Sequence, residues 1–296
     1  MSGGERLMQI AVVTGTSTGI GLATSLHLAR EGYRVFAGMR NLTKADALQS
    51  AAAAENLHVE IVELDICDSA SVEAAFAKIQ EAGPVDVLVN NAGIGGAAPL
   101  ELISEADHRQ MFETNYFGAV RCIQAVLPTM RERGQGCIVN ISSAVGLQAT
   151  PNQIAYSASK WALECLGEAL AHEVFRFGVR VVNVEPGVIM TNIFENSAEQ
   201  TIYDKGSPYQ PIMRRNGKIY AAGFKRGVPP ERVAETVYQA ISTTDSRLRW
   251  PVGADAEGFM AARHLVAAED WVRMGDDMSD EEYNARFKAY FGVDLT

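Results

Sequence analysis

Cysteine is scarce: four in 296 residues, with no CxxC pair and none at metal-ligand spacing from a histidine. A disulfide framework or a zinc site is therefore not expected, and Cys67, Cys122, Cys137 and Cys165 are read as buried reduced thiols. His27, His58, His108, His172 and His264 are equally scattered, so no metal is expected at all. Long apolar runs are missing too. No window reaches the roughly 18 apolar residues of a membrane span, and the opening MSGGERLMQIAVVTG lacks the basic-then-apolar order of a secretory leader; a cytoplasmic location follows as the expectation. Positive charge is in deficit, with 26 Lys and Arg against 36 Asp and Glu for a net −10. That balance argues against nucleic acid or an anionic membrane surface as a partner, since both select basic patches. There is no internal repeat and no low-complexity linker, and AAAA at 51–54 reads as helix filler.

What is present is an alternation. Short β-branched runs at 10–14, 33–38, 58–64, 85–90, 137–142, 179–185 and 247–252 are separated by longer helical stretches, the pattern of parallel strands joined by right-handed helical crossovers. The fold class expected is α/β, doubly wound, with a seven-stranded parallel sheet and helices on both faces. Helices are expected over 19–31, stopped by Gly32; over 69–82, stopped by Gly83-Pro84; and over 104–133, opened by Ser104-Glu105-Ala106-Asp107 and closed by Gly134. The last is long enough to cross the sheet and reach a neighbouring subunit.

Residues 190–229 break the alternation. Gly206, Pro208, Pro211, Gly217, Gly223 and Gly227 are interspersed there with Phe194, Tyr203, Tyr209, Met213 and Phe224, and the segment is read as a long substrate loop or lid. Residues 1–252 form the dinucleotide-binding and catalytic domain. Residues 253–296, with ten acids against four bases, form a helical extension of the same domain whose acids are read as a solvated face.

Two motifs carry chemistry. After the first strand, TGTSTGIG places Gly15, Gly19 and Gly21 between an apolar run and a helix, with Ser17, Thr18 and Ile20 between them. Glycines there let the chain turn sharply and approach a pyrophosphate, and the helix N-terminus adds partial positive charge. The spacing is G-x3-G-x-G, and its place after the first strand makes it a Rossmann-type dinucleotide turn. The second strand ends in Gly38-Met39-Arg40-Asn41. An acid at that point would accept from the adenosine ribose, whereas Arg40 suits a 2′-phosphate, so NADP(H) is favoured over NAD(H).

The second motif is YSASK, with Tyr156 and Lys160 four apart on one helix face. A hydride delivered to a carbonyl carbon leaves an alkoxide that needs a proton, and a phenol beside an ammonium can supply it at a lowered pKa. Ser143, at the carboxyl end of the fifth strand, can bond the substrate oxygen. Its neighbour Ser142 points to the opposite face by strand alternation and is read as structural.

In order, TGTSTGIG, NNAG at 90–93, Asn115, Ser143, YSASK and Pro186-Gly187 resemble the short-chain dehydrogenase/reductase family over residues 8–252. The resemblance implies a homodimer or homotetramer and further roles. Asn115 would be the fourth catalytic residue, at a kink in the long helix whose backbone holds a water for proton relay. Asp65 would meet the adenine amino group, Ile66 would line the adenine, and Asn91 would lie near the adenosine ribose. Ile189 and Thr191 would hold the carboxamide, while Tyr156 and Lys160 would also touch the cofactor. RVFAGMRN and the extended C-terminal region resemble the retinol and hydroxysteroid dehydrogenase branch.

The substrate side is expected along 95–99, 145–151 and 190–229, which are mostly apolar. A hydrophobic alcohol, ketone or aldehyde is the expected substrate, of retinoid, steroid or aryl/alkyl type. The alternatives are an NAD(H)-preferring alcohol dehydrogenase and a cofactor-binding sensor or scaffold without chemistry; loss of Tyr156 or Lys160 would have favoured the latter, and neither is lost. A nucleotide-sugar epimerase would need a larger C-terminal domain, and enoyl-thioester reduction a different tyrosine–lysine spacing.

Overall fold

The computed structural model describes residues 8–191 and 201–296. Its centre is one parallel sheet of β1 (Ile10–Thr14), β2 (Arg34–Met39), β3 (Val59–Glu63), β4 (Val85–Asn90), β5 (Gly136–Ile141), β6 (Val179–Pro186) and β7 (Arg249–Val252), in the order β3-β2-β1-β4-β5-β6-β7. The chain winds outward from β1 to β3, returns to β4 beside β1, and then winds the other way. The order reverses between β1 and β4, and ligands of such sheets bind in the crevice beyond the carboxyl ends at that point.

Both faces of the sheet are covered, which explains the near-continuous apolar strands. Val12, Leu88, Ile138 and Val181 pack with Phe76, Ile79, Ile123, Val126 and Leu170. These come from α3 (Ser69–Ala82), α5 (Gly118–Arg133) and α6 (Ile154–Val174). Val13, Val89, Val139, Val182 and Val184 pack on the other face with Leu28, Val233 and Val237, from α1 (Gly19–Arg30) and α8 (Pro230–Ser242). A smaller cluster lies under α2 (Asp46–Ala54).

The long helix expected over 104–133 is interrupted. It runs as α4 (Glu105–Phe112), a π-turn over Glu113–Phe117 and then α5, with Ser104 Oγ accepting from Asp107 N at its start and Gly134 in the left-handed region at its end. A π-turn inserts one residue into the helical ladder without changing the apolar pattern enough to be read from spacing.

The unbroken loop expected over 190–229 is corrected more strongly, because Gln210–Arg226 is helical (α7). Pro211 sits in its first turn and Gly227 caps it at φ +65°, the positions where these residues bound helices rather than break them. Gly223, inside α7, is where Val188 approaches: a Cβ there would lie 2.3 Å from Val188 Cβ. Phe194 lies outside the described residues.

The extension continues as α9 (Ala254–Ala262), α10 (Ala268–Arg273) and α11 (Asp280–Phe291). Phe259, Met274, Tyr283, Phe287, Phe291 and Leu295 form a core with Ile219 and Ala222 of α7. Its acids are not only a solvated face. Asp280 pairs with Arg214 and, at 2.6 Å, with Lys218, and Asp255 is buried and accepts from Val188 N at 2.8 Å. The thiol expectation also needs correction. Cys122 and Cys137 are buried, and burial pushes them up to about 12 and about 11, but Cys67 is half-buried and Cys165 exposed.

Candidate active site

The glycine turn is tied to the strand beside it. Gly15 N and Thr16 N both donate to Gly38 O, at 2.9 and 3.2 Å. Thr14 Oγ1 accepts from Asn91 N and Ala92 N at 3.0 Å each. The Asn91 side chain donates to Thr14 O at 2.8 Å and Gly15 O at 3.0 Å, so its amide is spent on holding the turn. Gly15 and Gly19 adopt φ of +70° and +59°, where a side chain is strained. Gly21 has a different reason: a Cβ would come within 2.3 Å of Gly15 O and 2.4 Å of Asn91 Nδ2. It lets α1 pack onto the turn.

Thr18 is the N-cap of α1, extended and with no side-chain cap bond. Among the described residues, then, the first turn of α1 has backbone N–H groups that its cap residue does not satisfy, the setting in which a phosphate binds. Ser17 and Ile20 are half-buried and Thr18 is exposed. The turn fits a dinucleotide.

Around this crevice, Arg40 is exposed immediately after β2. Asp65 Oδ1 accepts from Cys67 N at 3.0 Å, and Ile66 is buried against Gly118, where a Cβ would lie 2.5 Å from Ile66 Cδ1. Ile189 is buried. Thr191 stands across the crevice from the turn, its Cγ2 3.2 Å from the place of a Cβ on Gly19. The Pro186-Gly187 bend that leads there is held by Asp255 through the Val188 amide. Asp255 was not anticipated, because nothing in its sequence surroundings links it to that bend.

Beyond β5 and at the start of α6 the chemistry-bearing side chains meet. Ser143 caps a short helical turn, its Oγ accepting from Val145 N at 3.3 Å, and its hydroxyl acts on the phenol of Tyr156. Ser142 Oγ is buried without a partner among the described residues. Lys160, one turn beyond Tyr156, is 4% exposed; its Nζ donates to Ile141 O at 2.8 Å and lies 5.9 Å from the centre of the Tyr156 ring.

Asn115 sits in the π-turn. Its Oδ1 accepts from Ile94 N, and its Nδ2 donates to Ile94 O and Ser159 Oγ, all at 2.9 Å. Ser159 Oγ in turn donates to Tyr156 O at 2.8 Å. Gly93 leaves room for the cluster, since a Cβ there would lie 3.1 Å from Asn115 Oδ1 and 3.6 Å from Lys160 Nζ.

Burial sets the electrostatics. It pushes the Tyr156 phenol up, opposed by the Ser143 hydrogen bond, so the protein's own groups hold it protonated rather than lowering it. Burial pushes Lys160 down to about 8, opposed by Glu164.

Two residues at this centre escaped the sequence reading. Gln153 Oε1 accepts from Thr150 Oγ1 at 2.8 Å, and its Nε2 bonds the phenol oxygen of Tyr220 on α7. Tyr220 is pushed well up by burial, with Tyr156 and Asp255 adding to the effect. Neither residue belongs to a motif; their only sequence signal is place, Tyr220 lying within the 190–229 segment marked as substrate-facing and Gln153 just beyond 145–151. Those segments do converge: Ala98 bridges Gln153, Ala97 bridges Thr201, and Ile202 N donates to Ala97 O at 2.8 Å. Behind Thr150 lies a cavity of about 290 Å³ walled by Pro151, Ile212, Trp271, Met274 and Tyr283, with Arg215 also lining it.

The sequence profile of the short chain dehydrogenases matches residues 9–202, and the chain belongs to that family. It is an oxidoreductase. Human retinol dehydrogenase 8 is 38% identical over 254 residues, covering 80% of this chain and 79% of that protein. A short-chain dehydrogenase from Streptomyces avermitilis superposes with a TM-score of 0.79 at 33% identity, covering 91% of this chain and 95% of that one. An actinorhodin polyketide ketoreductase solved with NADPH gives 0.71 at 30% identity, covering 83% and 95%.

Proposed function

We propose that the protein interconverts an alcohol and its ketone or aldehyde with NADP(H), on a hydrophobic substrate, with Tyr156 as general acid and base. The convergence of Ser143, Tyr156 and the buried Lys160 beyond the carboxyl end of β5 carries this reading, because it sets a hydroxyl, a protonated phenol and an ammonium together, next to a turn that fits a dinucleotide. The nicotinamide, when bound, supplies or accepts the hydride. In reduction, Ser143 and Tyr156 bond the substrate oxygen and Tyr156 gives up its proton as charge develops there. Lys160 stabilises the phenolate left behind, and the π-turn at Asn115 anchors the first turn of α6 through Ser159. Gly15, Ser17, Thr18, Gly19, Ile20 and Gly21 hold the pyrophosphate side, Asp65 and Ile66 the adenosine, with Asn91 acting there through the turn it holds, and Ile189 and Thr191 the carboxamide.

Arg40, with no acid beside it at the end of β2, supports NADP(H), as does the NADPH in the related ketoreductase. The likeness to a retinol dehydrogenase supports a nonpolar substrate. Residues 1–252 and the extension are one domain in this reading, because α7 and the C-terminal helices share a core. Among the described residues no helix is long and apolar enough to cross a membrane. The test is Tyr156→Phe, which should keep NADPH binding by fluorescence while losing carbonyl reduction; near-native turnover would remove Tyr156 as the proton donor.

A further inference from the structure

Beneath Lys160 lies a buried polar cluster that the reaction as described does not use. Glu164, one turn beyond Lys160 on α6, is 3% exposed, and Glu185 of β6 is 0% exposed. Asn183 and Glu185 are two apart on the strand and so share a face. Glu164 Oε2 accepts from Asn183 Nδ2 at 3.0 Å and from Arg249 Nε at 2.9 Å. Glu185 Oε2 accepts from Trp250 N at 2.8 Å. Among the described residues the remaining oxygen of each carboxyl, Oε1, is buried and without a donor, and Glu164, bonded to Asn183 on the strand face that Glu185 shares, is placed beside Glu185.

Two neighbouring buried carboxyls, each with an oxygen otherwise unsatisfied, are costly unless they share a proton. We propose that Glu185 is a neutral acid donating its proton to an ionised Glu164, and that this pair is a positioning device that keeps Lys160 charged. The second half rests on the role given to Lys160 above.

The assignment of the charge follows from the partners. Glu164 receives a guanidinium and an amide, Glu185 a single backbone N–H. An amide ladder runs the same way: Asn90 donates to Asn140 at 3.0 Å, Asn140 to Asn183 at 3.1 Å, and Asn183 to Glu164. These three asparagines stand in register across β4, β5 and β6, so the dipoles line up on one acceptor. Burial and the neighbouring Glu164 push Glu185 well above the carboxylate range, in agreement.

The other charged groups facing the pair are Lys160 and Glu168 from α6 and Arg249 from β7, the last also bonded to Glu168 at 2.5 Å. Arg249 is thus shared between two carboxylates. Were Glu185 also ionised, the cluster would hold an unbalanced buried charge. With it neutral, the charge on Glu164 is the one that opposes the burial of Lys160, which titrates at about 8.

The experiment compares wild type, Glu164→Gln and Glu185→Gln. Infrared spectra in H2O and D2O should show a protonated-carboxyl stretch in wild type that Glu185→Gln removes. NMR of carbon-labelled lysine should show Lys160 titrating lower in Glu164→Gln by about one unit or more, and close to wild type in Glu185→Gln, whose amide still donates to Glu164. The alkaline limb of kcat should move down in the first variant and stay in the second. Absence of the infrared band, or a Lys160 titration that Glu164→Gln leaves in place, would overturn the proposal. If Glu164→Gln does not fold, the infrared comparison of wild type with Glu185→Gln decides. Failure of the proposed reaction itself would show differently, as no turnover in wild type with the band and the lysine shift intact.

Discussion

Lys160 Nζ donates to the main-chain oxygen of Ile141 at 2.8 Å, tying the second turn of α6 to the carboxyl end of the strand that leads into Ser143. This bond fixes the spacing of the three side chains on which the proposed chemistry depends. It also keeps the ammonium in a nearly dry site, where its charge is held by a narrow margin.

That margin gives a pH dependence. Lys160 titrates at about 8, below an ordinary lysine, because burial disfavours its charge. Activity that needs the ammonium should therefore be full below that value and fall as pH rises through about 8, read from kcat at saturating substrate and cofactor. The stability linkage runs the other way. With the folded value depressed below 10.5, the unfolded chain binds more protons between the two values, so the contribution of Lys160 to stability increases as pH rises across that window. Denaturant midpoints at pH 7 and 10 on Lys160→Met and wild type would separate this contribution.

The adjacent serines should separate sharply. Ser143→Ala removes a donor beside the phenol and should lower kcat by about 10²-fold or more, in the range for loss of one oxyanion donor. Ser142→Ala removes a buried hydroxyl with no partner among the described residues and should leave kcat and the melting temperature near wild type or slightly raise the latter. Equal losses of kcat in both variants would contradict the assignment.

Arg40→Asp should move the ratio of kcat/KM for NADPH over NADH towards NADH. The expected change is about tenfold or more, given that a charge-assisted bond is worth roughly 1.5–3 kcal/mol. An unchanged ratio would remove Arg40 from phosphate recognition.

Gly21→Ala tests the turn. The added methyl would lie 2.3 Å from Gly15 O, so the start of α1 must shift, at a cost of about 1–3 kcal/mol. Cofactor affinity and thermal stability should fall together. Gly217→Ala, in a position with open space around it, should instead be neutral or slightly stabilising because alanine favours the helix.

The strands were legible because the five central ones, β1, β2, β4, β5 and β6, are apolar and buried almost throughout, and six of the seven first residues fall within one position of expectation. The order of motifs was legible for the same reason: the turn, Ser143 and YSASK all stand where a strand ends or a helix begins. The family resemblance marked a kink at Asn115, but its form as a π-turn was not legible, since a single inserted residue hardly alters the apolar period. Helix α7 was missed because Pro211 and Gly227 mark its ends and Gly217 and Gly223 lie within it, all of which read as loop. Gln153, Tyr220, Asp255 and the Glu164–Glu185 pair were invisible for another reason. Their roles arise from contacts between segments far apart in the chain, and only packing reveals them.

The most direct measurement is NADPH oxidation against a panel of aliphatic, aromatic and polycyclic ketones and aldehydes, run in parallel on wild type and Tyr156→Phe. The account predicts turnover that rises with substrate apolarity in wild type and is reduced by about 10²–10⁴-fold in the variant, with NADPH binding retained in both. Tight NADPH binding by wild type with no turnover on any carbonyl, or on any alcohol in the reverse direction, would contradict it and make the protein a cofactor-binding sensor.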